Sequence, residues 1–108
     1  MIYEKRVYRC VPGRLPALLK RFETTTLKVW DKHGIRQAGF FTTLVGESSL
    51  ELTYLLAWDS MAEREQKWNA FMSDPVWISA RAESEKDGPI VANIVNQFLA
   101  PTAFSSVK

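Results

Sequence analysis

Leu50-Glu51-Leu52-Thr53-Tyr54-Leu55-Leu56-Ala57-Trp58 is the stretch on which the fold turns. Successive side chains of a strand point to opposite faces, so Leu50, Leu52, Tyr54, Leu56 and Trp58 fill one face. Leu55 and Ala57 occupy the other, beside Glu51 and Thr53. An antiparallel sheet with one wet face alternates cleanly, and this strand does not. It therefore belongs in the middle of a sheet with something covering both sides.

Upstream, Gln37–Val45 is also strand-like, with Phe40, Thr42 and Leu44 opposing Phe41, Thr43 and Val45. Gly46-Glu47-Ser48-Ser49 separates the two runs, which predicts a hairpin. Further back, Leu15, Leu18, Leu19, Phe22, Val29 and Trp30 recur at helical spacing between about Arg14 and His33. Pro16 suits the first turn and Gly34 the stop. Ile2–Arg9 reads as the opening strand, broken by Val11-Pro12-Gly13. Downstream, Ser60 and Glu63 form a capping box, and Met61, Trp68, Phe71 and Met72 give the following helix an apolar stripe. Asp74 caps a short second helix with Pro75 in its first position. Gly88-Pro89 ends it, Ile90–Leu99 is the last strand, and a tail begins at Pro101.

The order βαββαβ predicts an α+β, ferredoxin-like domain spanning residues 1–108: a four-stranded antiparallel sheet, helices on one face, first and third strands central. Two helices cover one face only. Burying a large apolar side chain contributes roughly 1.5–3 kcal/mol, so the other face also needs cover. A second copy of the same sheet is the simplest cover, which predicts a homodimer through the helix-free face.

Composition narrows the partners. A net charge of +2, with basic residues interleaved among acids, gives no reason to expect nucleic acid. No apolar run approaches the roughly 20 residues of a membrane-spanning helix. Met1–Arg6 carries charge where a signal peptide requires an apolar stretch, and a lone cysteine, Cys10, makes no internal disulfide, so a cytoplasmic location is expected. One histidine and one cysteine do not make a zinc cluster, and no glycine-rich phosphate loop is present. No cofactor is expected.

The chain resembles the NIPSNAP family. The resemblance is carried by Ile2-Tyr3-Glu4-Lys5-Arg6-Val7-Tyr8 with Pro12-Gly13, by His33-Gly34, and by Gly39–Gly46. It continues through Trp58-Asp59-Ser60-Met61-Ala62-Glu63-Arg64, Asp74-Pro75-Val76-Trp77 and Pro101–Ser105. It implies the dimeric α/β-barrel superfamily, in which two ferredoxin-like sheets pack face to face. Leu56 stands where members often carry tryptophan, Trp58 where tyrosine is common, and Leu44 where an acid is frequent, which points to a more apolar pocket here.

Glu4, Arg6 and Tyr8 alternate on one face of the opening strand. Charged side chains should avoid the helix-packed face, so these three are expected inside the barrel. There they form either a polar end to a ligand cavity, with Arg6 facing an anionic group, or a self-satisfied structural ion-pair network. Tyr54 and Trp58 supply an aromatic wall to the same cavity or plain core packing, as do Phe41 and Thr43 from the second strand. His33, ending a helix before Gly34, reads as a dipole-favoured terminal residue. Three functions stand open at this level. One is a homodimer binding a small apolar or aromatic ligand; another is a cofactor-independent monooxygenase or isomerase. The third is a non-catalytic interaction or structural protein.

Overall fold

A computed structural model describes Met1–Lys108, the whole chain. Strands β1 (Ile2–Cys10), β2 (Arg36–Thr42), β3 (Glu51–Trp58) and β4 (Val91–Leu99) form one antiparallel sheet in the order β2-β3-β1-β4. The first and third strands are therefore central, as the connectivity predicts. Leu52, Tyr54, Leu56 and Trp58 are all buried, which is the face assignment the alternation predicts.

Helix α1 (Leu15–Arg21), a π turn (Phe22–Thr26) and helix α2 (Leu27–His33) run on without leaving helical backbone angles. Helix α3 (Met61–Met72) and helix α4 (Pro75–Ser84) complete the layer above the sheet. The stops and starts are local chemistry. Gly34 takes the left-handed conformation at φ 71°, where a side chain would be strained. The Ser60 hydroxyl accepts from the Glu63 amide at 3.1 Å, and Glu63 accepts from the Asp59 amide at 2.9 Å. Asp74 accepts from the Val76 amide at 2.8 Å as N-cap of α4. The same carboxylate meets Lys32 at 2.9 Å and His33 at 2.7 Å, so it ties the end of α2 to the start of α4.

The core between layers is largely aromatic. Phe22 lies edge-on to Trp30 with centroids 5.5 Å apart, Phe40 stacks on Tyr54 at 4.8 Å, and Phe71 packs on Trp77 at 4.8 Å.

Two expectations are corrected. β2 ends at Thr42, not Val45, and Leu44 and Val45 are 97% and 95% exposed. The pairing Thr42↔Leu52 is the last rung of the hairpin, so residues beyond it have no strand to bond, whatever their β-propensity. The second correction concerns Glu4, Arg6 and Tyr8, and with them Tyr54 and Trp58, expected as the wall of the same barrel cavity. They lie not on the helix-free face but on the helix-covered one. Glu4 pairs with Leu56, Arg6 with Tyr54 and Tyr8 with Leu52, and residues directly opposite share a face. Glu4, Arg6 and Tyr8 are buried, Glu4 completely. The helix-free face instead carries Val7, Thr53, Leu55, Ala57 and Val95, together with Lys5, Gln97 and the Arg9–Glu51 pair, with Phe41 at one side 56% exposed.

Candidate functional site

Burial of Glu4 under the helices is tolerated because its lone pairs are filled. It accepts from Arg6 Nη1 at 3.0 Å, Trp58 Nε1 at 3.0 Å, Arg64 Nε at 3.2 Å and Arg64 Nη2 at 3.1 Å. Burial pushes its carboxyl pKa up, but these bonds and the two guanidinium charges outweigh that and hold it below its usual value. The reading of this group as a self-satisfied network thus applies to Glu4, Arg64 and Trp58, within a single chain.

Arg6 extends the network toward a cavity. Its Nε donates to the Tyr54 hydroxyl at 2.8 Å, its Nη2 to the Tyr8 hydroxyl at 3.2 Å, and its guanidinium carbon lies 4.7 Å from the Trp68 ring centre. Tyr54 donates to Tyr8 at 2.8 Å. Two phenols that share one hydrogen bond leave one proton uncommitted. Tyr54 is fully buried, while Tyr8 lines the cavity, so the free O–H is that of Tyr8. Burial and the neighbouring Tyr8 hydroxyl raise the Tyr54 pKa well above 10 and keep it a phenol.

The cavity, about 410 Å³, lies between the sheet and the helices. β1 supplies Arg6 and Tyr8, and Val91–Ile94 of β4 form the rim. Arg21, Phe22, Thr26 and Trp30 come from the first helical segment, Trp68 and Phe71 from α3, and Trp77, Arg81 and Glu85 from α4 and its end. A space of this size, with aromatic walls interrupted by Arg6, Arg21, Arg81 and Glu85, matches what small-molecule sites require.

The π turn builds part of this wall. Phe22 and Thr26 lie within it and both line the cavity. Thr24 bonds back to the Lys20 carbonyl at 2.7 Å and Thr26 to that of Arg21 at 3.3 Å, using side chains where the regular ladder is widened. π turns inside helices are frequent at functional sites. The run Thr24-Thr25-Thr26 in mid-helix is the sequence signal for it, since β-branched residues disfavour a regular helix there.

Arg21 is the residue that sequence reading passed over. It is 7% exposed, and only its Nη1 is bonded, to Ser84 Oγ at 3.2 Å and Glu85 Oε1 at 3.4 Å. Its Nε makes no hydrogen bond, nor do the indole N–H groups of Trp30 and Trp77. Burial lowers the Arg21 pKa, with Glu85 opposing the shift.

Of the residues expected at a site, Arg6 and Tyr8 line the cavity. Glu4, Tyr54 and Trp58 stand behind them in the same layer. Phe41 is on the opposite sheet face, and Thr43 lies in the loop after β2. Neither is among the residues that line this cavity. Cys10 is buried, which raises its thiol pKa and leaves it unreactive. No group of three His, Cys, Asp or Glu side chains is placed to hold a metal ion. No helix is long and apolar enough to cross a membrane.

A four-stranded antiparallel sheet under one layer of helices, with an aromatic cavity between, defines a ferredoxin-like α+β protein. The NIPSNAP family model matches residues 3–106, and the chain belongs to the NIPSNAP family. Its structure is similar to that of a NIPSNAP family protein of unknown function from Agrobacterium tumefaciens, with 28% identity, TM-score 0.87 and coverage of 100% of this chain and 94% of that one. An uncharacterised NIPSNAP domain protein from Burkholderia xenovorans is 24% identical, with TM-score 0.84 over 97% and 98% of the two chains. A putative antibiotic biosynthesis monooxygenase from Nitrosomonas europaea shares the fold at 6% identity, with TM-score 0.63 over 93% and 97%. Comparison with curated proteins found no match.

Proposed function

We propose that this NIPSNAP protein is a homodimer that binds a small apolar or aromatic molecule, without a cofactor, in the cavity between its helices and its sheet. The observation that carries the reading is the 410 Å³ space walled by Phe22, Trp30, Phe71 and Trp77 and reached by the free Tyr8 hydroxyl. A protein whose layers were sealed by side chains would not keep such a space. The site is on the helix side of the sheet, not between two sheets.

The dimer rests on the other face. Val95, Val7 and Thr53 sit side by side across β4, β1 and β3, with Phe41 beyond them on β2, and Leu55 lies on the same face opposite Lys5. Val95 is 50% and Leu99 42% exposed, and a second copy of this face supplies apolar cover of matching width.

Thermal shift against aromatic acids, quinones and lipids tests the binding reading. Ligands that raise Tm should lose their effect with Ala92→Trp, which fills an exposed position on the cavity rim. Silence across the panel, or shifts untouched by that variant, refutes it. A second reading, cofactor-independent oxygenation or isomerisation, is favoured by one feature, the uncommitted Tyr8 proton beside Arg6. Oxygen uptake with quinols and polyphenols, lost in Tyr8→Phe, would support it.

A further inference from the structure

We infer that the molecule this cavity takes is an organic anion, a carboxylate on an aromatic or branched apolar body, seated at the Tyr8 hydroxyl in the cavity that Arg6 and Arg21 line. The inference rests on the cavity being a ligand site and adds the class of ligand.

The charges around the cavity do not balance. Glu4 is shared by Arg6 at 3.0 Å and Arg64 at 3.1 Å. Glu85 is shared by Arg21 at 3.4 Å and Arg81 at 3.9 Å. Each carboxylate thus serves two guanidiniums, and the walls hold an excess of two positive charges. Two of these cations, Arg6 and Arg21, are more than nine-tenths buried and line the same cavity. A buried charge is costly unless it is paired and hydrogen-bonded. Arg21 is only partly provided for: its guanidinium lies 5.3 Å from the Trp77 ring centre, but its buried Nε makes no bond and its one acid lies at 3.4 Å and is partly exposed. Arg6 bonds through one hydrogen at each nitrogen and keeps one on Nη1 and one on Nη2 unused.

Tyr8 lines the same cavity as both. Arg6 Nη2 donates to its hydroxyl at 3.2 Å, and its ring lies 6.1 Å from that of Phe22, the residue next to Arg21 on the cavity wall. Its own proton has no acceptor within the protein. A carboxylate placed there accepts the Tyr8 O–H and the spare guanidinium hydrogens together, and bonds with one ionised partner are roughly twice as strong as neutral ones. The rest of the ligand then lies against Phe22, Trp30 and Trp77. Neutral or cationic molecules of the same shape would leave the surplus charge standing.

Isothermal titration at pH 7.5 with 2-naphthoate and its neutral isostere 2-naphthamide tests the seat. Wild type should bind the acid at least about tenfold tighter than the amide, a difference of about 1.4 kcal/mol. Tyr8→Phe and Arg21→Met should each erase most of that preference while the amide affinity changes by less than about threefold, and Arg21→Lys should keep it. Melting curves confirm that each variant is folded. Equal affinity of wild type for the two compounds overturns the anion seat and leaves the cavity reading standing. Binding of neither compound overturns both.

Discussion

Replacing Glu4 by Gln should unfold much of this protein's stability margin, although the two side chains have nearly the same shape. The carboxylate is fully buried and accepts four hydrogen bonds, three of them from guanidiniums. Glutamine keeps one acceptor oxygen and turns an NH₂ toward Arg6 or Arg64. Breaking a buried ion pair by removing one partner costs about 3–5 kcal/mol. A domain of this size has a total stability of only about 5–15 kcal/mol. In urea, with a slope of about 1–3 kcal/mol/M, the midpoint should fall by at least about 1 M at pH 7. The pH dependence sharpens the test. Burial raises the Glu4 pKa, but the bonds from Arg64 and Trp58 and the charges of Arg64 and Arg6 bring it below its ordinary 4.5. A lowered folded-state value stabilises fully above the unfolded value and is lost as pH falls through the folded one. The gap between wild type and Glu4→Gln should therefore be constant above about pH 5 and narrow below pH 4.5. A midpoint change under about 0.3 M at pH 7, or a gap that persists undiminished in acid, would show that the network contributes little to folding.

Gly39 sits in the β-bulge of β2 at φ 121°, and a Cβ there would lie 2.9 Å from the Phe41 ring. Gly39→Ala should lower stability by about 1–3 kcal/mol, read from urea melts. Leu55→Lys, in the middle of the helix-free face, should leave the circular dichroism spectrum unchanged and shift sedimentation from dimer to monomer. A wild type already monomeric at micromolar concentration would refute the dimer. Asp74→Ala removes the shared anchor of Lys32, His33 and the Val76 amide and should lower Tm. Bonds from Lys32, His33 and that amide hold the Asp74 pKa below its usual 3.8, so the difference should hold at neutral pH and shrink as pH falls below 3.8.

The strand order and helix boundaries were legible because each has a local cause: alternation in Leu50–Trp58, a cap at Ser60 and at Asp74, a left-handed stop at Gly34. The end of β2 was not, since Thr43-Leu44-Val45 has strand composition and only the register of its partner excludes it. Arg6 and Tyr8 were legible as a pair on one face, but the face itself was assigned wrongly. Arg21 was invisible in sequence, because a lone basic residue in the middle of an amphipathic helix normally reads as part of its solvated face.

The misplaced face has a physical lesson for the site. Charge alone does not tell which side of a sheet a residue faces; what matters is whether partners are within reach. For Glu4 they are, because Trp58 and Arg64 stand on the neighbouring strand and helix at bonding distance. A network closed on itself needs nothing more and is structural. The same criterion separates Tyr8 and Arg21 from it. Both are buried, both border the cavity, and each keeps donors that no protein acceptor meets. The division between scaffold and site thus runs through the middle of one polar cluster. Glu4→Gln should damage folding, whereas Tyr8→Phe should leave Tm within a few degrees and act on binding. If Tyr8→Phe instead costs as much stability as Glu4→Gln, the phenol belongs to the scaffold and the cavity has lost its polar anchor.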